Sequence, residues 1–469
     1  MSKITRKEAE EKLKEIAGIK IEIIEEKEPD QKSLEILKDL QLFEMINKEL
    51  DKKIVGEEET RKVILLCSFG RLVENSQVSS YNLLVMSESG AGKDYVTSKT
   101  LEITPQEYYI KKTRISPATF TYWHNSKFEP EWTWNGKVFY PEDIGEGVLN
   151  SDVFKVMCSS GSSATIVIKQ RAIDLEIKGK PVMITTTASA SPSPEMVRRF
   201  VMLMLDESVD QTKAIMKRHS EFKKKGIVPE YNQDLIEAQK YLKRVKVKIP
   251  FADLIDPHFP QDNIIMRTNY PRFLDFISAS ASLYQYQRKE EDGFILAEGQ
   301  DYDIARKCFL KLFSNKYMIP LTRNQKEILQ QFELDPTLEG SVSELYNSVF
   351  GKDFLSDRAL ETNLKNLVKY GILKTHTKKD VLNRDINSYS IKKSYTENKT
   401  LNIPDYASIT SSSSLSSLSS TSSVSGVVED SEDTEPLNDI KKDSNTEQLI
   451  PEWSEKDKQH LKLAEEKQK

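Results

Sequence analysis

Cysteine is scarce. Cys67, Cys158 and Cys308 are the whole complement, far apart in the chain, and the five histidines show no metal-ligand spacing with them. This excludes a disulfide framework and gives no zinc site, so a reducing cytoplasm is the expected compartment. Long apolar runs are also missing. No window approaches the roughly 20 residues needed to cross a bilayer, and the opening "MSKITRKEAEEKLKEIAGIK" has no apolar signal core. A soluble chain with no membrane partner is expected. Nor does either sign of charge prevail: 68 Lys+Arg stand against 73 Asp+Glu, a net charge of -5. That balance argues against wholesale coating of nucleic acid but leaves room for local basic surfaces.

At about 150 residues per domain, 469 residues suggest two or three units. The text divides into a helical segment at 1–48, a core at 49–250, a helical portion at 251–318, a compact domain at 319–395 and a tail at 396–469. The first segment alternates acidic and lysine runs with leucine and isoleucine at helical spacing, which reads as a solvated arm. The tail runs through "SITSSSSLSSLSSTSSVSG" to "EDSEDTE". It is too polar to offset chain entropy by burial and is expected to be disordered, its acidic cluster a candidate surface for a protein partner. Between these, "YNLLVM", "GKVFYPEDI", "ATIVIKQ" and "PVMITTTAS" alternate with helical text. The fold class expected is α/β, a mostly parallel sheet with helices on both faces.

The first of these strands runs into "SESGAGKDY", residues Ser87, Glu88, Ser89, Gly90, Ala91, Gly92, Lys93, Asp94 and Tyr95. Successive backbone N–H groups, a helix N-terminus and a lysine in this order suit a phosphate. The pattern G-x-x-x-x-G-K-[ST] wants glycine at Ser87 and a hydroxyl at Asp94, where the hydroxyl serves magnesium. A carboxylate at 94 either takes that role or repels the phosphates, and the alternative to a nucleotide loop is a tight structural turn. About fifty residues on, "GKVFYPEDI" ends in Glu142 and Asp143, a carboxylate pair suited to magnesium and to the attacking water, or else an acidic turn. "PVMITTTAS" ends in Thr185, Thr186 and Thr187, where a polar group can orient that water.

The order of these pieces, followed by "PEMVRRFVMLMLDE" and "YPRFLDFISASASL", resembles an AAA+ ATPase of the minichromosome-maintenance-like helicase branch. The resemblance extends from "LDKKIVGEEETRKVILL" through "SSATIVIKQRAIDLEIKGKPVMITTTAS" to "GFILAEGQDYDIARKCF", roughly Leu50 to Phe313. It implies ATP and Mg2+ as cofactors, with Lys93 on the outer phosphates and Asp94, Glu142 and Asp143 serving the metal and water. It also implies Thr187 or a neighbour as sensor, Arg199 as a finger reaching the next subunit, and Arg272 as a second sensor. A finger acting in trans implies a homo-oligomeric ring, expected to be hexameric.

DNA is the partner the resemblance implies. Lys169, Arg171, Lys178 and Lys180 lie in a charged hairpin text suited to tracking a phosphate backbone in a ring's channel, or to a plain solvated hairpin. From Leu321 to Ile391 the text reads as three helices and a two-strand wing, with Arg358, Lys365 and Lys369 on the third helix and Lys374, Lys378, Lys379 and Arg384 on the wing. This resembles the winged helix that follows the ATPase in that branch. The aromatic stretch "FTYWHNSKFEPEWTW" reads as packing rather than base stacking. The readings left open are a DNA helicase or translocase of a replicating mobile element or virus, a nucleotide-gated initiator with slow turnover, and an inactive scaffold.

Overall fold

The fold is that of a computed structural model. It describes residues 28–87, 90–124, 129, 131–159, 161–168, 171–187, 194–259, 266–313, 321–351, 354–379, 384–392 and 403–411.

Five short strands make the central sheet: β1 Leu83–Met86, β2 Tyr109–Lys112, β3 Val138–Pro141, β6 Val182–Thr187 and β7 Val201–Met204. All neighbours are parallel, and the order is β2-β3-β6-β1-β7. Alternate residues of each strand enter opposite cores, as the period of a strand requires. Leu83, Val85, Ile184, Val201 and Leu203 belong to one core, while Leu84, Met86, Met183 and Met202 belong to the other. Covered on both faces, these strands read as continuous apolar text, which is why β1 and β6 are legible without alternation.

On the first face the helix Glu58–Phe69 is buried along ten of its twelve residues. It packs against the loop helix Lys93–Leu101 on one side and the helices Met266–Leu283 and Gly299–Leu312 on the other. The portion read as 251–318 therefore shares one continuous core with the sheet. So do the helices Gln31–Leu37 and Leu42–Glu49, while residues 1–27 lie outside the described residues. Leu37, Leu42, Phe43 and Ile46, on these two helices, are fully buried in that core, so residues 31–48 are core and not a solvated arm. Their charged residues misled because they lie on the outer faces of two short amphipathic helices.

The opposite face is covered by Phe120, Trp134, Phe154 and Met157. Trp134 is fully buried, edge-on to Phe120 and Phe139, so these aromatics of the stretch are packing, while Tyr122 is exposed and Phe128 lies outside the described residues. "ATIVIKQ" does not join the parallel sheet: β4 Ser162–Ile168 pairs antiparallel with β5 Arg171–Ile177 as a separate hairpin. A small sheet of β8 Lys246–Lys248, β9 Glu290–Glu291 and β10 Phe294–Leu296 edges the helical side.

Residues 321–392 have their own core, built on Leu329, Phe332, Leu360, Leu364 and Tyr389. The helix Arg323–Leu334 is followed by β11 Glu339–Gly340, the helix Val342–Leu345 and the helix Asp357–Lys369. The hairpin β12 Leu373–Lys379 and β13 Asp385–Ile391 completes an antiparallel sheet of order β11-β13-β12. After it the chain returns to the main core. Ile403 and Ile409 are buried there, the Arg306 guanidinium donates to the Ile403 carbonyl (2.5 Å), and the Tyr302 hydroxyl donates to that of Pro404 (2.8 Å). Tyr406 lies so close to Gly299 that a Cβ there would sit 2.3 Å from its ring. The tail expected at 396–469 thus loses 403–411 to the core, anchored by two isoleucines and a tyrosine in otherwise polar text. The serine-rich and acidic stretches lie outside the described residues.

Candidate nucleotide site

The loop after β1 turns on two glycines in the left-handed region, Gly90 at φ 93° and Gly92 at φ 89°. No atom lies within 4 Å of where a side chain would stand on either one, so their backbone borders open space. Gly92 opens the helix Lys93–Leu101, whose first turn presents N–H groups that no intrahelical carbonyl can satisfy. Ser87 is buried at the end of β1. Glu88 and Ser89 lie outside the described residues, and Ala91 is half-buried between the glycines.

Lys93 is buried, with its ammonium 3.3 Å from Asp94 Oδ2 and 3.6 Å from Asp143 Oδ1. The other Asp94 oxygen accepts a hydrogen bond from the Thr186 hydroxyl. That same hydroxyl accepts the Asp143 N–H at 2.9 Å. Thr186 therefore joins the loop helix to the acidic strand end, as its place on β6 between β1 and β3 allows. Its neighbours face elsewhere. The Thr185 hydroxyl donates to the Pro141 carbonyl (2.6 Å) and that of Thr187 to the Ile144 carbonyl (3.3 Å). Thr187, named with its neighbours for the sensor, thus supports the turn, and the threonine that meets the loop is the neighbour Thr186.

The inverted acidic pair is accommodated by the backbone. Asp143 adopts φ 46°, a left-handed turn that aspartate tolerates, and its carboxylate faces Lys93. Glu142 is directed to β2, where Lys111 Nζ lies 3.1 Å from its carboxylate and 3.1 Å from the Ser98 hydroxyl. A cleft of about 650 Å³ opens beside the pair, bordered by Arg114, Ser116, Gly145 and Val148. A larger one of about 930 Å³ lies away from the glycine loop, its wall lined by ion pairs such as Lys53–Glu102 and Lys240–Glu237.

The donor set suits Mg2+. That ion takes one or two carboxylates and completes its shell with water and phosphate oxygens. Asp94 and Asp143, both facing Lys93, supply such a pair; among the described residues no cluster of three or more metal-ligating side chains forms.

Other predicted site residues lie apart from this constellation. Tyr95 donates its hydroxyl to the Lys53 carbonyl at 2.9 Å, tying the loop helix to the preceding segment. The Arg199 guanidinium is engaged within its own chain, with the Lys155 carbonyl at 3.0 Å and the Ser159 hydroxyl. Arg198, one residue earlier, is exposed. Arg272 is buried on the helix Met266–Leu283, donating to Asn269 Oδ1 and to the Arg198 carbonyl, each at 3.2 Å, and burial pulls its pKa down to about 10.

In the hairpin, Arg171 pairs with Ile168 beside the turn, and Lys169 lies outside the described residues. Lys178 and Lys180 are at the root instead. The Lys178 carbonyl accepts the Trp134 N–H and the Lys180 ammonium reaches the Ser159 carbonyl at 3.0 Å. In the C-terminal domain, Lys365, Lys378 and Lys379 are paired with Glu361, Glu344 and Asp385 at 2.6–2.8 Å. Arg358, Lys369, Lys374 and Arg384 are exposed.

Lys111 is not named by the sequence, and Thr186 is named only as one of three threonines. The available signal for Lys111 is a lysine pair closing "YYIKK", a stretch with only one aliphatic residue. No curated protein matches the chain. Residues 26–247 match the family model described as the MTBMA_p00010 P-loop domain, and the parallel sheet that carries the glycine loop is consistent with a P-loop NTPase.

Proposed function

We propose that the chain binds ATP with Mg2+ at this loop and hydrolyses it, working as a ring-forming DNA motor of the AAA+ type. The observation that carries the reading is the position of β6. A threonine-bearing strand between the loop strand and the acidic strand brings Lys93, Asp94, Asp143 and Thr186 to one point. In this reading Lys93 balances the outer phosphates, Asp94 and Asp143 hold the metal, and Glu142 orients water after leaving Lys111. Mg2+ supplies charge neutralisation of the transferring phosphoryl group.

Three features support the helicase-like branch. The hairpin β4–β5 is inserted between the acidic strand and the threonine strand, with Arg171 beside its turn. The helix Val209–Lys225 buries none of its residues and leaves Val209 and Met216 about two-thirds exposed, a face that suits a neighbouring subunit. The helix–strand–helix–helix–hairpin order of residues 323–391 suits a winged helix, with Arg358 and Lys369 toward DNA.

The test is steady-state phosphate release by the full chain, with and without single-stranded and duplex DNA, in parent and Lys93→Ala. Turnover that DNA stimulates and Lys93→Ala abolishes is expected. Undiminished turnover in a folded Lys93→Ala protein removes the loop as the site. A second reading, a nucleotide-gated DNA-binding initiator with slow turnover, is favoured by Asp94, because a carboxylate replaces the usual hydroxyl. Tight binding with negligible phosphate release selects it.

A further inference from the structure

Among the described residues, one ammonium in the loop faces two carboxylates. Lys93 lies within 3.6 Å of both Asp94 and Asp143, while the third carboxylate, Glu142, is matched by Lys111. In the usual loop the residue after the lysine carries a neutral hydroxyl, leaving the lysine with charge to spare for phosphate. Here the spare charge is already cancelled. Asp94 also cannot swing aside without loss. One of its oxygens accepts from Thr186, whose hydroxyl is itself fixed by the Asp143 N–H, and the other faces Lys93. The carboxylate is thus held in the first turn of the loop helix, beside the N–H groups that an anion would use.

From this charge count we infer that Asp94 makes the site selective for the metal–nucleotide complex and closes it to free nucleotide. The inference rests on the nucleotide-site reading above and deepens it. Among the described residues, a bare polyphosphate approaching the loop meets two carboxylates and one lysine, and like charges a few ångströms apart at a partly buried site repel strongly. A divalent cation reverses the sign of that contribution. The same carboxylates become hard oxygen ligands, and Lys93 is released toward the phosphates. Asp94 therefore penalises one form of the nucleotide and favours the other, a form of specificity built on repulsion.

The test measures binding, not turnover. A fluorescent ATP analogue is titrated into the full chain in Mg2+ and in EDTA, for the parent, Asp94→Asn and Asp94→Thr, with thermal melting as the check on folding. For the parent, removing the cation should weaken binding by on the order of a hundredfold, the scale expected of a unit charge about 5 Å from phosphate in a partly buried site. Asp94→Asn should bind more weakly than the parent in Mg2+ and more tightly in EDTA, while Asp94→Thr, which restores the usual metal-binding hydroxyl, should gain in EDTA and keep its affinity in Mg2+. The crossing of signs in Asp94→Asn is something a merely structural perturbation, which weakens both, does not produce. Equal parent affinity with and without cation overturns the inference, as does cation dependence that persists unchanged in whichever variants fold. If neither variant folds, tight parent binding in EDTA overturns it and a hundredfold loss sustains it. Failure of the parent to bind in either condition removes the nucleotide-site reading itself.

Discussion

Lys111 and Glu142 form an ion pair at 3.1 Å across neighbouring strands, and the same ammonium reaches Ser98 on the loop helix. The pair directs Glu142 away from Lys93. Lys111→Met is expected to change kcat several-fold while leaving nucleotide affinity within about twofold, since Lys111 touches the carboxylate proposed to orient water and not Lys93 or Asp94. Single-turnover phosphate release alongside equilibrium binding separates the two quantities. A large loss of affinity with kcat unchanged would assign Lys111 to binding.

Adjacent threonines on β6 point in opposite directions, so their substitutions should separate. Thr186→Val is expected to lower turnover tenfold or more, because it frees Asp94 and removes the acceptor for the Asp143 N–H. Thr187→Val should cost about 1 kcal/mol of stability, the net worth of one hydrogen bond, with turnover little changed. Equal kinetic effects from the two would contradict the assignment of Thr186 to the site.

Arg199 and Arg198 differ in the same manner. Arg199→Ala removes bonds to Lys155 and Ser159 and should destabilise the fold by about 1.5–3 kcal/mol, as expected for charged hydrogen bonds. Arg198→Ala should leave Tm unchanged. If a finger acts between subunits, mixing Arg198→Ala with Lys93→Ala should restore part of the lost activity, whereas Arg199→Ala should rescue poorly. Recovery with Arg199→Ala alone would return the finger to that position.

Asp275 gives a pH dependence with a definite sign. Burial pushes its carboxyl up to about 7, against hydrogen bonds from the Ser80 hydroxyl (2.5 Å) and the Gln77 amide (3.3 Å) and against the charge of Arg272. The unfolded chain releases this proton near pH 4, so between about 4 and 7 the folded state binds more protons, and stability falls as pH rises through that window. Asp275→Asn lacks the dependence. Denaturation midpoints should therefore show the parent losing ground to the variant from pH 4.5 to 7 and no further above it. A pH-independent difference would mean that Asp275 ionises at its ordinary value.

Much of the site was legible because its parts sit at strand ends with loud local signals: two glycines and a lysine after β1, an acidic pair after β3, three threonines on β6. Which threonine faces the loop was not legible, since it depends on the phase of a pleat relative to strands far away in sequence. Lys111 escaped because β2 is a half-exposed edge strand with little apolar text, and its meaning appears only when β3 is laid beside it. Arg199 was named by its place in a motif. Its hydrogen bonds come from the helix Asp152–Met157 and the residues just after it, some forty positions away. The burial of the early helices is not legible because their charge density outweighs Leu37, Phe43 and Ile46, whose burial is decided by the helix they meet.

The return of residues 403–411 to the helix Gly299–Leu312 changes what kind of part residues 321–392 form. Fastened at both ends to the same body, they are an insertion looped out of it, not a pendant on a single thread. A force applied to that domain is delivered at two points of the helical portion that also carries Arg272 and Asp275. Trimming the chain after residue 392 would accordingly strip Ile403, Tyr406 and Ile409 from the main core and leave Phe251 and Tyr302 facing water.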